Sequence, residues 1–143
     1  MARSNFRWYG KKIKRHIVAG TNKNLRKAAF FLASDIRRNF PASGGGGRNA
    51  AGQFSGGGDN DNPSPAGGIP HVQTAHLKRN VGAEKAGDML YRVGTGIGNK
   101  QSVGYALWLE FGTRDTAARP WLRPGVRRNK RKLRKIMAGK VLK

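Results

Sequence analysis

Ser102–Pro124 reads SVGYALWLEFGTRDTAARPWLRP and is the densest aromatic and apolar stretch of a basic, glycine-rich chain. Tyr105, Trp108, Phe111 and Trp121 lie in it, with Glu110, one of only seven acidic residues. Val103, Ala106, Leu107, Glu110 and Phe111 fit helical spacing better than strand alternation. The spacing predicts a short helix ending at Gly112, a residue suited to a C-cap. Thr113–Ala118 is polar and reads as a loop. Arg119-Pro120-Trp121-Leu122-Arg123-Pro124 follows, where each proline holds its predecessor extended. Tyr105, Leu107 and Phe111 are expected to anchor the fold. Glu110 lies among apolar neighbours, and a buried carboxylate needs a cation or backbone donors. Arg114, Arg119 and Arg123 are the nearby cations, so the role expected for Glu110 is structural.

Downstream, Pro124–Lys143 predicts a long helix, with Pro124 near its start. Val126, Leu133, Ile136, Met137 and Val141 form a narrow apolar stripe. From Arg123 onward the chain carries many Lys and Arg residues and no acid. Like charges four residues apart weaken an isolated helix. Packing of the stripe and a polyanionic partner are expected to offset that repulsion.

Upstream, Thr21–Phe40 predicts another helix. Leu25, Ala28, Ala29, Leu32, Ile36 and Phe40 make one stripe, and Thr21 after Gly20 suits an N-cap. Ile13 and Ile17 have compatible spacing, so an earlier start is open, with Gly20 as a weak point. Pro41 stops the helix. Residues 1–19 read as a basic arm, with Arg3, Arg7, Lys11, Lys12, Lys14 and Arg15 interleaved with Phe6, Trp8 and Tyr9. That mixture suits either stacking on single-stranded nucleic acid or packing on a neighbouring surface.

Residues 42–69 contain GGGG at 44–47 and GGG at 56–58. They bury too little apolar area to offset their conformational entropy and read as a long flexible loop. Asp59 and Asp61 lack the further oxygen ligands and distal Glu of a calcium loop. Beyond Pro70, a helical turn around Thr74–Arg79 leads into a strand at Asn80–Glu84. Met89–Val93 alternates as a second strand, which completes a hairpin. Val93–Lys100 matches neither the phosphate-loop nor the dinucleotide spacing, so a turn is the better reading. The expected class is therefore α+β: a long N-terminal helix, a small antiparallel sheet (hairpin plus a further strand), a C-terminal basic helix and a long Gly-rich loop, in one domain over 1–143.

Composition narrows the chemistry. The chain has 143 residues and a formal charge of +22, which attracts polyanions but says nothing about fold. It has no Cys, so disulfides, thiolate metal sites and cysteine nucleophiles are excluded. His16, His71 and His76 have no carboxylate near them to complete a metal site. No two carboxylates form an acid/base pair. The expectation is a non-enzyme without metal or cofactor. No apolar run approaches the ~20 residues of a membrane span, and the basic N-terminus lacks the apolar core of a secretory signal. A protein made and used in a cytoplasm, or in a particle assembled there, is expected.

Tyr105-Ala106-x-x-Leu109-Glu110-Phe111-Gly112-Thr113, followed by Ala118-Arg119-Pro120-Trp121-Leu122-Arg123-Pro124, resembles the signature of the head–tail joining, or tail-completion (neck), family of long-tailed double-stranded DNA bacteriophages. Thr74-Ala75-His76-Leu77 stands where that family has T-G-x-L, with Ala for Gly. Trp121 stands where Phe is commoner. The likeness spans roughly residues 20–140, apart from the Gly-rich 42–69. It implies a small α+β subunit without enzymatic activity, forming a six- or twelve-fold ring between portal complex and tail tube. The implied partners are other copies of the chain, neighbouring neck, portal-side and tail-tube proteins, and non-specific duplex DNA in the lumen, with no membrane. The implied location is the head–tail junction of a virion assembled in the host cytoplasm. Thr74, Leu77, Tyr105, Glu110–Thr113 and Arg119–Pro124 are then the expected assembly residues. Candidate polyanion-binding residues are Lys11, Lys12, Lys14, Arg15, Arg127, Arg128, Lys130, Arg131, Lys132, Arg134 and Lys135. The alternative function is a basic protein that binds nucleic acid without sequence preference.

Overall fold

The computed structural model describes residues 9–40, 66–70, 76–97 and 103–139. Its elements are α1 (Gly10–Arg38), α2 (His76–Asn80), β1 (Gly82–Gly87), β2 (Leu90–Gly94), α3 (Tyr105–Phe111) and α4 (Leu122–Met137). A long N-terminal helix, a small antiparallel sheet and a basic C-terminal helix make the fold α+β, as the sequence predicts. Among the described residues the sheet has two strands, and no further strand joins it.

α1 is longer than Thr21–Phe40. Its 29 residues run through Gly20 without a break, a length of about 44 Å at 1.5 Å per residue. Thr21 is therefore an interior residue rather than an N-cap. Residues 10–19, read from sequence as part of an arm, are the first turns of this helix. The predicted stripe does bury: Ala28, Ala29, Leu32, Ile36 and Phe40 are in the core, with Leu25 at its margin.

α4 runs antiparallel to α1, since Gly125 packs on Ile36 while Asn24 reaches Gly139. Gly125 has a steric reason: a Cβ there would lie 2.7 Å from Ile36 Cγ1. The contact face of α4 thus centres on Gly125 and Asn129, both buried. This corrects the expected stripe, because Val126 and Met137 are exposed and only Leu133 and Ile136 of that set are partly covered. Val141 lies outside the described residues.

β1 and β2 pair from Gly82↔Gly94 to Gly87↔Leu90, with a bulge between Lys85 and Gly87. Ala83 and Val93 face the core as cross-strand partners, and Glu84 lies opposite Arg92. Met89 turns the hairpin with φ 56° and donates its N–H to Asn22 Oδ1 at 2.9 Å, which ties the turn to α1. Val81, ahead of β1, is fully buried, and Leu77 of α2 joins the same core. Val103, Ala106 and Trp121 complete it with Leu32, Ala33, Ile36 and Phe40.

Candidate functional site

α3, the loop after it and the start of α4 form one tied unit. A helix leaves four N–H groups without partners at its N-terminus. Around α4 these belong to Trp121, Leu122, Arg123 and Pro124, and proline has no N–H to satisfy. The local sequence has no Ser, Thr, Asp or Asn at the cap, and the N-cap Trp121 makes no side-chain cap bond. Glu110 does the work from α3. Its Oε2 accepts the N–H groups of Trp121 and Leu122, each at 2.8 Å, and its Oε1 accepts that of Arg123 at 3.1 Å. One carboxylate therefore satisfies every donor at this helix end, and its negative charge suits the positive end of the helix dipole.

Glu110 is 5% exposed. Its Arg123 partner, expected from the sequence, is present but secondary: Arg123 Nε lies 3.6 Å from Oε1, beyond hydrogen-bond reach. The Arg123 guanidinium instead lies over the Phe111 ring, 4.3 Å from its centroid. Backbone amides, not a cation, are what hold this carboxylate.

The rest of the unit follows from that capping. Gly112 ends α3 as predicted, donating its N–H to the Trp108 carbonyl at 2.7 Å. It has φ 78° and ψ 175°, a region essentially reserved for glycine. A Cβ at Gly112 would also meet Ala118 N and Thr116 O, each at 2.9 Å. Thr113 and Thr116 close the loop on each other, and the Arg119 N–H bonds the Leu109 carbonyl at 2.7 Å. The Trp121 ring is buried beside Phe40, and its Nε1–H donates to the Ala106 carbonyl at 3.0 Å.

This geometry overturns one expectation. Tyr105, Leu107 and Phe111 do not anchor the fold; they are exposed, as is Trp108. Val103, Ala106 and Glu110 form the inward stripe, at spacings of three and four. A helix of seven residues has room for only one such stripe, and the need to reach the end of α4 places Glu110 on it.

α4 itself is held at both ends and in the middle. Asn24 of α1 donates through Nδ2 to the Gly139 carbonyl at 2.9 Å and, at 3.4 Å, to that of Met137. Asp35 Oδ2 accepts from Arg128 Nη2 and Asn129 Nδ2, both at 2.6 Å. Burial alone would raise the Asp35 carboxyl, but the bonds from Arg128 and Asn129 and the charges of Arg128 and Arg38 outweigh it. The group is held below its ordinary 3.8. Lys132 Nζ lies over the Phe31 ring, 4.2 Å from its centroid.

The candidate cations accordingly divide. Arg128 and Lys132 are spent partly on α1. Arg127, Lys130, Arg131, Arg134 and Lys135 are exposed on α4, and Lys11, Lys12, Lys14 and Arg15 are exposed on α1. The two groups lie in tandem along α1, since α4 runs back only as far as Asn24. Of the remaining sequence-predicted residues, Leu77 is core, Pro120 and Arg119 are half-buried, and Thr74 lies outside the described residues. Asn24, Asp35, Gly125 and Asn129 were missed, because polar and glycine positions leave no mark on an apolar stripe. Among the described residues no cluster of His, Asp or Glu could hold a metal ion, and no helix is long and apolar enough to cross a membrane.

Comparison with known proteins finds no matching family model, no matching curated protein and no matching solved structure.

Proposed function

We propose that this chain is a non-enzymatic structural subunit of a bacteriophage neck, assembling as a six- or twelve-fold ring that joins the DNA-filled head to the tail. The carrying observation is how the two sequence blocks are used. The Tyr105–Thr113 block supplies a buried carboxylate, and the Ala118–Pro124 block supplies the three amides it binds. The residues that bear the family likeness are thus the ones whose chemistry depends on one another, as a shared structural motif requires. The exposed aromatics and arginines beside them suit protein interfaces, where Trp, Tyr, Phe and Arg are enriched.

Electron microscopy of purified virions with an antibody to the chain, together with native mass spectrometry, tests this reading. A ring at the head–tail junction is expected. Absence of the chain from virions overturns it.

The exposed cations of α4 favour a second reading, non-specific binding to nucleic acid. Their contacts would be to phosphates, so the affinity for duplex DNA should fall with salt, by a log–log slope of about 0.9 per phosphate contact. A monomer that binds DNA with that slope and never assembles would select this alternative.

A further inference from the structure

The outer face of α3 stands apart from everything the fold uses. Leu107, Trp108 and Phe111 share one side of the helix, at spacings of three and four, and are 63%, 61% and 58% exposed. A short helix that turns Ala106 and Glu110 inward and three large apolar side chains outward carries a surface that, apart from the Arg123 stack on Phe111, lies outside the core formed by the described residues. Contiguous exposed apolar groups of this kind mark interaction sites.

Charge selects the occupant. Arg123 lies over Phe111 at the edge of the face. Glu110, its neighbour, already accepts three amides and meets Arg123 Nε only as an ion pair at 3.6 Å, so the guanidinium has no hydrogen-bonded acceptor among the described residues. Arginine presents a planar fork of donors matched to a carboxylate. A second copy of this chain fits poorly. It offers only seven acids to meet Arg123, and two of them, Asp35 and Glu110, are engaged inside the fold.

We infer that Leu107, Trp108, Phe111 and Arg123 form a docking site for an apolar segment of a different protein that carries a carboxylate at its edge. The apolar side chains of that segment cover Trp108 and Leu107, and its carboxylate takes the Nη groups of Arg123, whose Nε keeps its ion pair with Glu110. This surface is therefore a heterotypic one, distinct from whatever contact joins like subunits.

The test uses the full chain and a synthetic amphipathic peptide of about five helical turns. The peptide has Leu and Phe on one face and Glu along that face's edge. A scrambled peptide of identical composition controls for charge alone, and a Gln-for-Glu version controls for the carboxylate. The patterned peptide should bind at least about tenfold more tightly than the scrambled one, the size expected where aromatic anchors dominate. Leu107→Ser and Trp108→Ser should each remove most of that margin with unchanged circular dichroism, since both side chains are exposed. Arg123→Gln should weaken the Glu peptide and leave the Gln version unaffected. Equal binding of patterned and scrambled peptides overturns the inference. So does a margin that survives both serine variants. Self-association that Trp108→Ser or Leu107→Ser abolishes would also overturn it, by showing that a second copy covers the face.

Discussion

Glu110→Ala removes one side chain and strips three amides of the acceptor they have among the described residues. Hydrogen bonds to charged groups contribute roughly 1.5–3 kcal/mol each, and a buried donor left unpaired costs about 1–3. Two of the three amides, those of Trp121 and Leu122, are at 2.8 Å and sit where water has little access; the third belongs to exposed Arg123 and can be rehydrated. Counting two full losses and one partial loss gives about 3–5 kcal/mol, the range seen when one partner of a buried charged contact is removed. For a domain of this size that is a fall in Tm of roughly 6–20 °C. Glu110→Gln keeps a carbonyl acceptor but turns a donor toward the amides, so about half that loss is expected. Urea denaturation followed by circular dichroism measures both. Arg123→Gln supplies the discriminating control: if the amides are what matter, it should cost under about 1 kcal/mol, as exposed ion pairs do. A loss at Arg123→Gln equal to that at Glu110→Ala would refute the capping account, as would a Glu110→Ala variant within about 0.5 kcal/mol of the parent, the scale of an inconsequential surface change.

Gly125→Ala should destabilise by about 1–3 kcal/mol through overpacking on Ile36; a double-mutant cycle with Ile36→Ala should show the two changes partly cancelling, and strict additivity would count against this contact. Gly112→Ala combines a positive φ with a Cβ driven into the Thr116–Ala118 backbone, so a loss of at least about 2 kcal/mol is expected in the same denaturation assay. Asp35 has a folded pKa below its ordinary 3.8, so its contribution is present above that value and is lost as pH falls through the lower, folded one. The Tm gap between the parent and Asp35→Asn should therefore be constant above about pH 5 and shrink below pH 4; a gap independent of pH would rule out the charged contact with Arg128 and Asn129.

Periodicity made α1 legible, because the stripe from Ala28 to Ile36 is a direct projection of one buried face, whereas for α4 the element was legible but its buried face, centred on Gly125 and Asn129, was not. Alternation and turn residues made the hairpin legible, with the second strand placed to within a residue, but the first strand runs on from Gly82 to Gly87 rather than from Asn80 to Glu84, and Asn80 ends α2. Gly112 could be assigned as a cap because only glycine tolerates its backbone angles. The sequence alone also established the charge imbalance and the lack of cysteine chemistry, both properties of composition. The length of α1 was less legible: Gly20 is a weak helix former, yet a mid-helix glycine costs only about 1 kcal/mol, and the turns on either side outweigh it.

What faces inward on α3 was decided by tertiary structure alone. Hydrophobicity placed Tyr105, Leu107 and Phe111 inside, but the end of α4 required an acceptor and Glu110 had to turn toward it, which carried the large side chains out. The same logic applies to α4, whose cation run is tolerable because Glu110 caps its start, Asp35 pairs at its middle and Asn24 receives its end. These partners lie 11 to 115 residues from the groups they bind. A pattern read along the chain registers neighbours one helical turn or one strand residue away. A carboxylate that caps a helix from another helix has no such period, and only the folded chain brings it into place.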